Sequence, residues 1–326
     1  MRIFVAGASG ALGSRLVPHL IDAGHDVIGA HNSPASAELL RTLGAKPVLV
    51  DLLDVDAVRK VVLENESEAI LHQATALANV RFGRSLDKTF ARTNELRTKG
   101  TDALLAAARE AGVRRFVAQS FAPYRYAREG GPVKTEDDPL DRTPPPNTQQ
   151  TSSAMTYLEQ VVTDFGGIAL RYGGFYGDAN DALIEPVRKR RLPIVGNGEG
   201  IFPWIHLEDA VAATVLALDH EGPAIYNIVD NEPAPVRVWL PVLAHALGAK
   251  PPRRFPVWLA RLFAGEAAVV LGTEARGATN AKAKRELGWT PLYPSWRKGF
   301  AATYSAISLA DRPKPHAATR ANHSLG

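Results

Sequence analysis

The chain contains no cysteine among its 326 residues. That excludes disulfides, a thiolate nucleophile and any cysteine-ligated zinc or iron–sulfur centre. It also lacks any run of about 18 apolar residues, so no membrane-spanning helix is expected. Charge of either sign is scarce in excess: 38 Lys and Arg face 34 Asp and Glu, a net +4. That is too little to single out a nucleic-acid partner. The basic run "RKRR" at 188–191 reads as the last turn of a helix, favoured there by the macrodipole. The start, "MRIFVAGASG", enters a strand and a glycine turn without the apolar core and cleavage site of a secretory leader, so a cytoplasmic location is expected. No clustered set of metal ligands stands out.

What is present is an alternation. "RIFVAG", "DVIGAH", "KPVLVDL", "EAILHQA" and "RRFVAQS" are apolar runs separated by helical patterns. In the first of these patterns, Leu12, Leu16, Val17, Leu20 and Ile21 form one face. Asp54 reads as the N-cap of another, and residues 86–110 read as one long helix. Continuous apolar strands between helices predict a parallel sheet covered on both faces. The class is therefore α/β: a Rossmann-type doubly wound parallel sheet with a smaller mixed C-terminal substrate lobe. After the Gly/Pro/acidic loop "REGGPVKTEDDPLDRTPPPN" come a helix beginning in "TQQTSSAMTYLE" and the strand "GGIALRY". Shorter helices follow near 181–191, 207–219, 236–247 and 257–271, with the strand "AIYNIV" among them. The boundaries read as a dinucleotide-binding core over 1–172, a lobe over 173–304 interleaved with it, and a flexible tail over 305–326 with little apolar periodicity.

"GASGALG" places Gly7, Gly10 and Gly13 between a strand and an amphipathic helix. Glycine permits the tight turn, lets a pyrophosphate approach the backbone and allows close helix packing, while the helix N-terminus faces the phosphates. A dinucleotide cofactor is expected. At the end of the second strand stands "HNSPAS" instead of a carboxylate to bond a ribose 2′-hydroxyl. Asn32 and Ser33 can donate to a 2′-phosphate, although no Arg or Lys accompanies them. This tilts the expectation toward NADP(H) over NAD(H).

With "GASGALG", "VDLLD", "ILHQAT", "TNELRTKGTDALLAAAREAGVRRFV", "ALRYGGFYG", "FPWIHLEDAVAA" and "AKAKRELGWTP", the chain resembles the extended short-chain dehydrogenase/reductase family of nucleotide-sugar epimerases and dehydratases. The likeness spans about residues 1–300. It implies that the cofactor meets Gly7, Ser9, Gly10, Ala11, Leu12 and Gly13, then Asn32, Ser33, Asp51 and Leu52. Gln73, Ala74 and Thr75 would follow at the fourth strand end, with Asn94, Ser120 and Tyr172. It also implies a small-molecule substrate and a possible homodimer through two long central helices.

The family's catalytic trio is a Ser or Thr, a Tyr, and a Lys four residues after the Tyr. Matching "YLEQVV" to that helix puts Thr151 at the Tyr position and Met155 at the Lys position; Phe121 takes the Ser/Thr position, unless a one-residue shift makes it Ser120. No Lys stands between Lys134 and Lys189. A Thr hydroxyl cannot replace a phenol, and a thioether carries no charge, so the usual proton relay is absent. Gly174 stands where sugar-nucleotide enzymes of this type carry Asn, which argues against a nucleotide sugar. Tyr124, after the fifth strand, is the alternative proton donor, with Thr151 as a second candidate. His72 and His206 are read as structural, and Arg171 with Tyr172 as packing on the nicotinamide side. Three functions stay open: an NAD(P)-dependent oxidoreductase or epimerase/dehydratase-like enzyme, a non-catalytic dinucleotide-sensing protein, and a non-redox isomerase or cyclase.

Overall fold

In a computed structural model the described residues are 1–77, 84–178 and 182–310, with side chains described to 304. Seven strands form the central sheet: β1 (Arg2–Ala6), β2 (Asp26–His31), β3 (Lys46–Leu49), β4 (Ala69–His72), β5 (Arg115–Phe121), β6 (Ile168–Tyr172) and β7 (Ala224–Ile228). All pair in parallel, in the order β7-β6-β5-β4-β1-β2-β3. The order reverses between β1 and β4, and ligands of doubly wound sheets settle at that point, beyond the carboxyl ends of the strands.

Successive strand residues point to opposite faces, and the two cores divide accordingly. Ile3, Val5, Leu71, Val117 and Leu170 meet α1 (Gly13–Asp22) and the helix Leu207–Asp219. Phe4, Ala6, Ile70, Phe116 and Ala118 meet the helices Val55–Glu64, Thr101–Ala111 and Gln149–Asp164 on the other side. Leu16, Val17 and Leu20 of α1 are fully buried, each contributing roughly 1.5–3 kcal/mol by area. Asp54 caps its helix as expected, accepting from the Ala57 amide at 3.0 Å. A third core, with Trp204, Trp239, Trp296 and Phe300, holds the smaller lobe together. β7 and the helix before it belong to the sheet layers, so lobe and core interleave along the chain.

Three boundaries differ from the sequence pattern. The segment expected as one helix over 86–110 is Leu86–Thr89, Ala91–Glu95, a π-turn Leu96–Gly100 and Thr101–Ala111. At the π-turn the Leu96 carbonyl lies 3.2 Å from His72 Nε2, and the Thr101 hydroxyl donates to the Arg97 carbonyl, so side chains satisfy backbone groups that a regular helix would pair. The helix expected near 257–271 breaks at Gly265 (φ 81°) into Val257–Ala264 and Glu266–Thr273. The final helix runs from Trp296 to Ala310, so residues 305–310, expected as the start of a flexible tail, are helical. The remainder of that tail, 311–326, lies outside the described residues.

Candidate functional site

The glycine turn is shaped by close approach. At Gly7 (φ 86°) a Cβ would lie 2.6 Å from the Gln73 backbone, and at Gly13 it would collide with the Gly7 carbonyl. Gly10 is exposed, and its amide bonds the Gly7 carbonyl at 3.0 Å. The amides of Ala11 and Leu12 enter no backbone hydrogen bond among the described residues, and α1 begins immediately after them. Ser9 is half-buried, Leu12 buried and Ala11 exposed. Beneath the turn, the buried Gln73 side chain leaves both amide atoms without a partner, with Ala74 and Thr75 beside it. A narrow backbone cradle, free amides at a helix N-terminus and an orphaned buried amide fit a dinucleotide pyrophosphate.

The adenosine side is more open. Asn32 is exposed, and Ser33 caps the helix Pro34–Thr42, accepting from the Ser36 amide and donating to the Ser36 hydroxyl. Asp51 is exposed, accepts from the Leu53 amide at 3.0 Å and pairs with Arg92 at 3.3 Å; Leu52 beside it is buried.

The residues that the resemblance aligns with the relay lie on the helix Gln149–Asp164 and at the end of β5. Thr151, Met155 and Glu159 lie four residues apart on one buried face of Gln149–Asp164. Thr151 Oγ1 donates to Asp87 Oδ1 at 2.8 Å and accepts from Asn94 Nδ2 at 3.1 Å. Asp87 also accepts the amides of Thr151 and Gln150, capping that helix from a neighbouring one. Thr151 thus ties the start of its helix to Asp87 and Asn94. Met155 is fully buried. Ser120 donates to Glu159 Oε1 at 2.5 Å, and Phe121 places a phenyl ring against Tyr124, 5.9 Å between centroids.

Glu159 is the hub of a buried ion network. It receives Arg125 at 3.1 Å and Arg171 at 2.8 Å, and Arg171 also donates to Tyr126 Oη at 3.1 Å. Burial works to raise the Glu159 carboxyl, but the two guanidiniums and the Ser120 hydroxyl outweigh it and hold it down at about 2. Arg171 is thus engaged by Glu159 and Tyr126. Tyr172 is likewise enclosed in the sheet core, its hydroxyl 2.6 Å from Thr214 Oγ1. Asn94, expected at the cofactor, faces Thr151 and leaves its amide oxygen unpartnered.

Tyr124 stands on the loop after β5 at φ 52°, a conformation bulky residues rarely adopt. Burial pushes its phenol up, against the pull of Arg97 and Arg125, so at neutral pH it is a hydrogen-bond donor and no base. Arg97, on the π-turn, was not singled out in the sequence, although a cation between buried Leu96 and Gly100 is an anomaly that marks it. His72 and His206 are both buried. Burial lowers each to about 4, and His206 Nδ1 caps its helix by accepting from Glu208 at 3.1 Å.

Residues 3–229 match the model of the NAD dependent epimerase/dehydratase family. The chain belongs to that family. It is 40% identical over 315 residues to a Streptomyces sp. protein named 3-diazoavenalumate denitrifying reductase, covering 92% of this chain and 99% of that one. It is 29% identical to the 2-alkyl-3-oxoalkanoate reductase of Stenotrophomonas maltophilia (strain K279a) over 266 residues, 76% of each chain. Among solved structures, the UDP-glucose 4-epimerase of Thermotoga maritima, determined with UDP-glucose, superposes with a TM-score of 0.76 over 95% of this chain and 99% of that one, at 21% identity. At Gly174 the Phe202 ring occupies the space a Cβ would need, so a larger side chain there requires that ring to move. Among the described residues, no helix is long and apolar enough to cross a membrane.

Proposed function

We propose that this chain is an NAD(P)H-dependent reductase of a small molecule that is not a nucleotide sugar. The observation that carries the reading is the pairing of an intact glycine cradle with a relay replaced by Thr151, Met155 and Phe121. Gly7, Gly10, Gly13, the Ala11 and Leu12 amides and Gln73 would hold the dinucleotide, and a reduced nicotinamide bound there supplies hydride. Thr151, Met155 and Phe121 supply neither the phenol nor the ammonium of the usual relay, so the reading favours an acceptor electrophilic enough to take hydride without one. A diazonium carbon is such an acceptor: hydride forms the C–H bond, the C–N electron pair leaves with N2, and no proton is required. The 40% identical relative is a reductase whose name describes loss of nitrogen from a diazo compound, which supports this class. The phenyl ring of Phe121 and the ring of Tyr124 give the cleft an aromatic wall suited to an aryl acceptor.

Asn32 and the capped helix start after it, with no carboxylate present, favour NADP(H) over NAD(H) at the 2′ position. We infer a cytoplasmic site of action and, through the groove between Ala91, Asn94, Gln150 and Tyr157, a homodimer. Titration with NADPH and NADH, followed by nicotinamide fluorescence, tests the reading. Micromolar binding with a preference for NADPH is expected; no binding of either form ends it.

A further inference from the structure

Three guanidiniums are buried behind the cleft, and the described residues hold one carboxylate that pairs with them. Glu159 engages Arg125 and Arg171, each with two or more hydrogen bonds. Asp87, the other buried acid nearby, spends its oxygens on Thr151 and Gln150. Arg97 is left over. It is 7% exposed, and its side chain makes neither an ion pair nor a hydrogen bond among the described residues. A buried cation without a partner is costly, and such a residue persists where an anion joins it in use.

Its surroundings say where that anion sits. The π-turn carrying Arg97 lies against the end of β4, through Leu96 and His72, on the ligand side of the sheet. Tyr124, which with Glu159 opposes the effect of burial on Arg97, stays protonated and offers a free O–H, since no hydrogen bond from it exists among the described residues. π-turns and non-glycine residues in the left-handed region both concentrate at functional positions; Arg97 stands on the one and Tyr124, at φ 52°, is the other.

We propose that Arg97 and the Tyr124 hydroxyl form an oxyanion subsite that takes the carboxylate of a small, aromatic-acid substrate. The guanidinium fork matches the two carboxylate oxygens, and the phenol adds a third donor. The inference rests on the reading of this cleft as a substrate pocket. A phosphate of the dinucleotide is the other source of an oxyanion, and the test separates the two.

Binding of benzoate and of neutral benzamide is measured by calorimetry on the full chain without cofactor, for the wild type, Arg97→Gln, Arg97→Lys and Tyr124→Phe. NADPH binding is measured in parallel. The expected result is a wild-type preference for benzoate of about tenfold or more. Arg97→Gln abolishes the preference, Arg97→Lys keeps part of it, and Tyr124→Phe reduces it by a few-fold. NADPH affinity changes by less than about threefold throughout. Two results overturn the proposal: equal binding of benzoate and benzamide by the wild type, or loss of NADPH affinity in Arg97→Gln with the benzoate preference intact. Should Arg97→Gln fail to fold, Arg97→Lys and Tyr124→Phe decide by the same criteria. Absence of NADPH binding with the benzoate preference retained would remove the reductase reading and leave the subsite standing.

Discussion

Thr151 Oγ1 and Asp87 Oδ1 are 2.8 Å apart, and that bond makes Thr151 part of a helix cap. Asp87 gathers the two amides at the start of Gln149–Asp164 along with the Thr151 hydroxyl. Thr151→Ala is expected to destabilise the fold by about 1–2 kcal/mol while leaving turnover within roughly twofold. Denaturant melts and steady-state rates on one preparation check both halves. A loss of turnover without loss of stability would return Thr151 to the chemistry.

The Glu159 network makes the opposite kind of prediction. Replacing Glu159 by Gln leaves Arg125 and Arg171 buried beside a neutral group, and breaking such a pair costs about 3–5 kcal/mol. Chemical denaturation should show a large drop for Glu159→Gln, in contrast to the surface pair Arg41–Glu38, whose loss should shift stability by less than about 1 kcal/mol.

Gly10 separates binding from folding. A Cβ there meets only the Gly7 carbonyl, at 3.3 Å, whereas one at Gly7 or Gly13 runs into backbone. Gly10→Ala should therefore melt near the wild type yet weaken NAD(P)H by about tenfold or more, because the methyl stands where the pyrophosphate approaches. Unchanged affinity would place the phosphates elsewhere.

Stability should depend on pH with two opposing contributions. His206 is held near 4 in the fold by burial, so its neutral form is favoured and the stability it allows is lost as pH falls from about 6.5 toward 4. Burial raises Asp230 to about 7, so stability is lost there as pH rises from about 4 toward 7. Relative to wild type, His206→Asn should gain on acidification and Asp230→Asn should gain on alkalinisation, each by on the order of 2 kcal/mol across its window. Melting curves between pH 4 and 8 decide; the same sign for both variants would refute the assignment.

The sheet and the glycine turn were legible because they are local: apolar strand runs and three glycines at fixed spacing. The partners of Arg171 and Tyr172 were not legible, because a strand end does not reveal which face its side chains take. Both turn toward partners, Glu159 and Thr214, contributed by helices distant along the chain. Asp87 and Arg97 were not singled out for a related reason. Their roles come from a helix break at Phe90 and a π-turn at Leu96–Gly100, and the pattern of 86–110 reads as one regular helix.

The central claim is hydride transfer without a protein proton relay. It is tested most directly by incubating the chain, in deuterated water, with unlabelled NADPH and a carboxylated arenediazonium salt, then locating the hydrogen in the product. The account predicts enzyme-dependent release of N2 and a new C–H bond carrying protium from the cofactor. Deuterium from solvent at that carbon, or release of N2 no faster than without the chain, would contradict it.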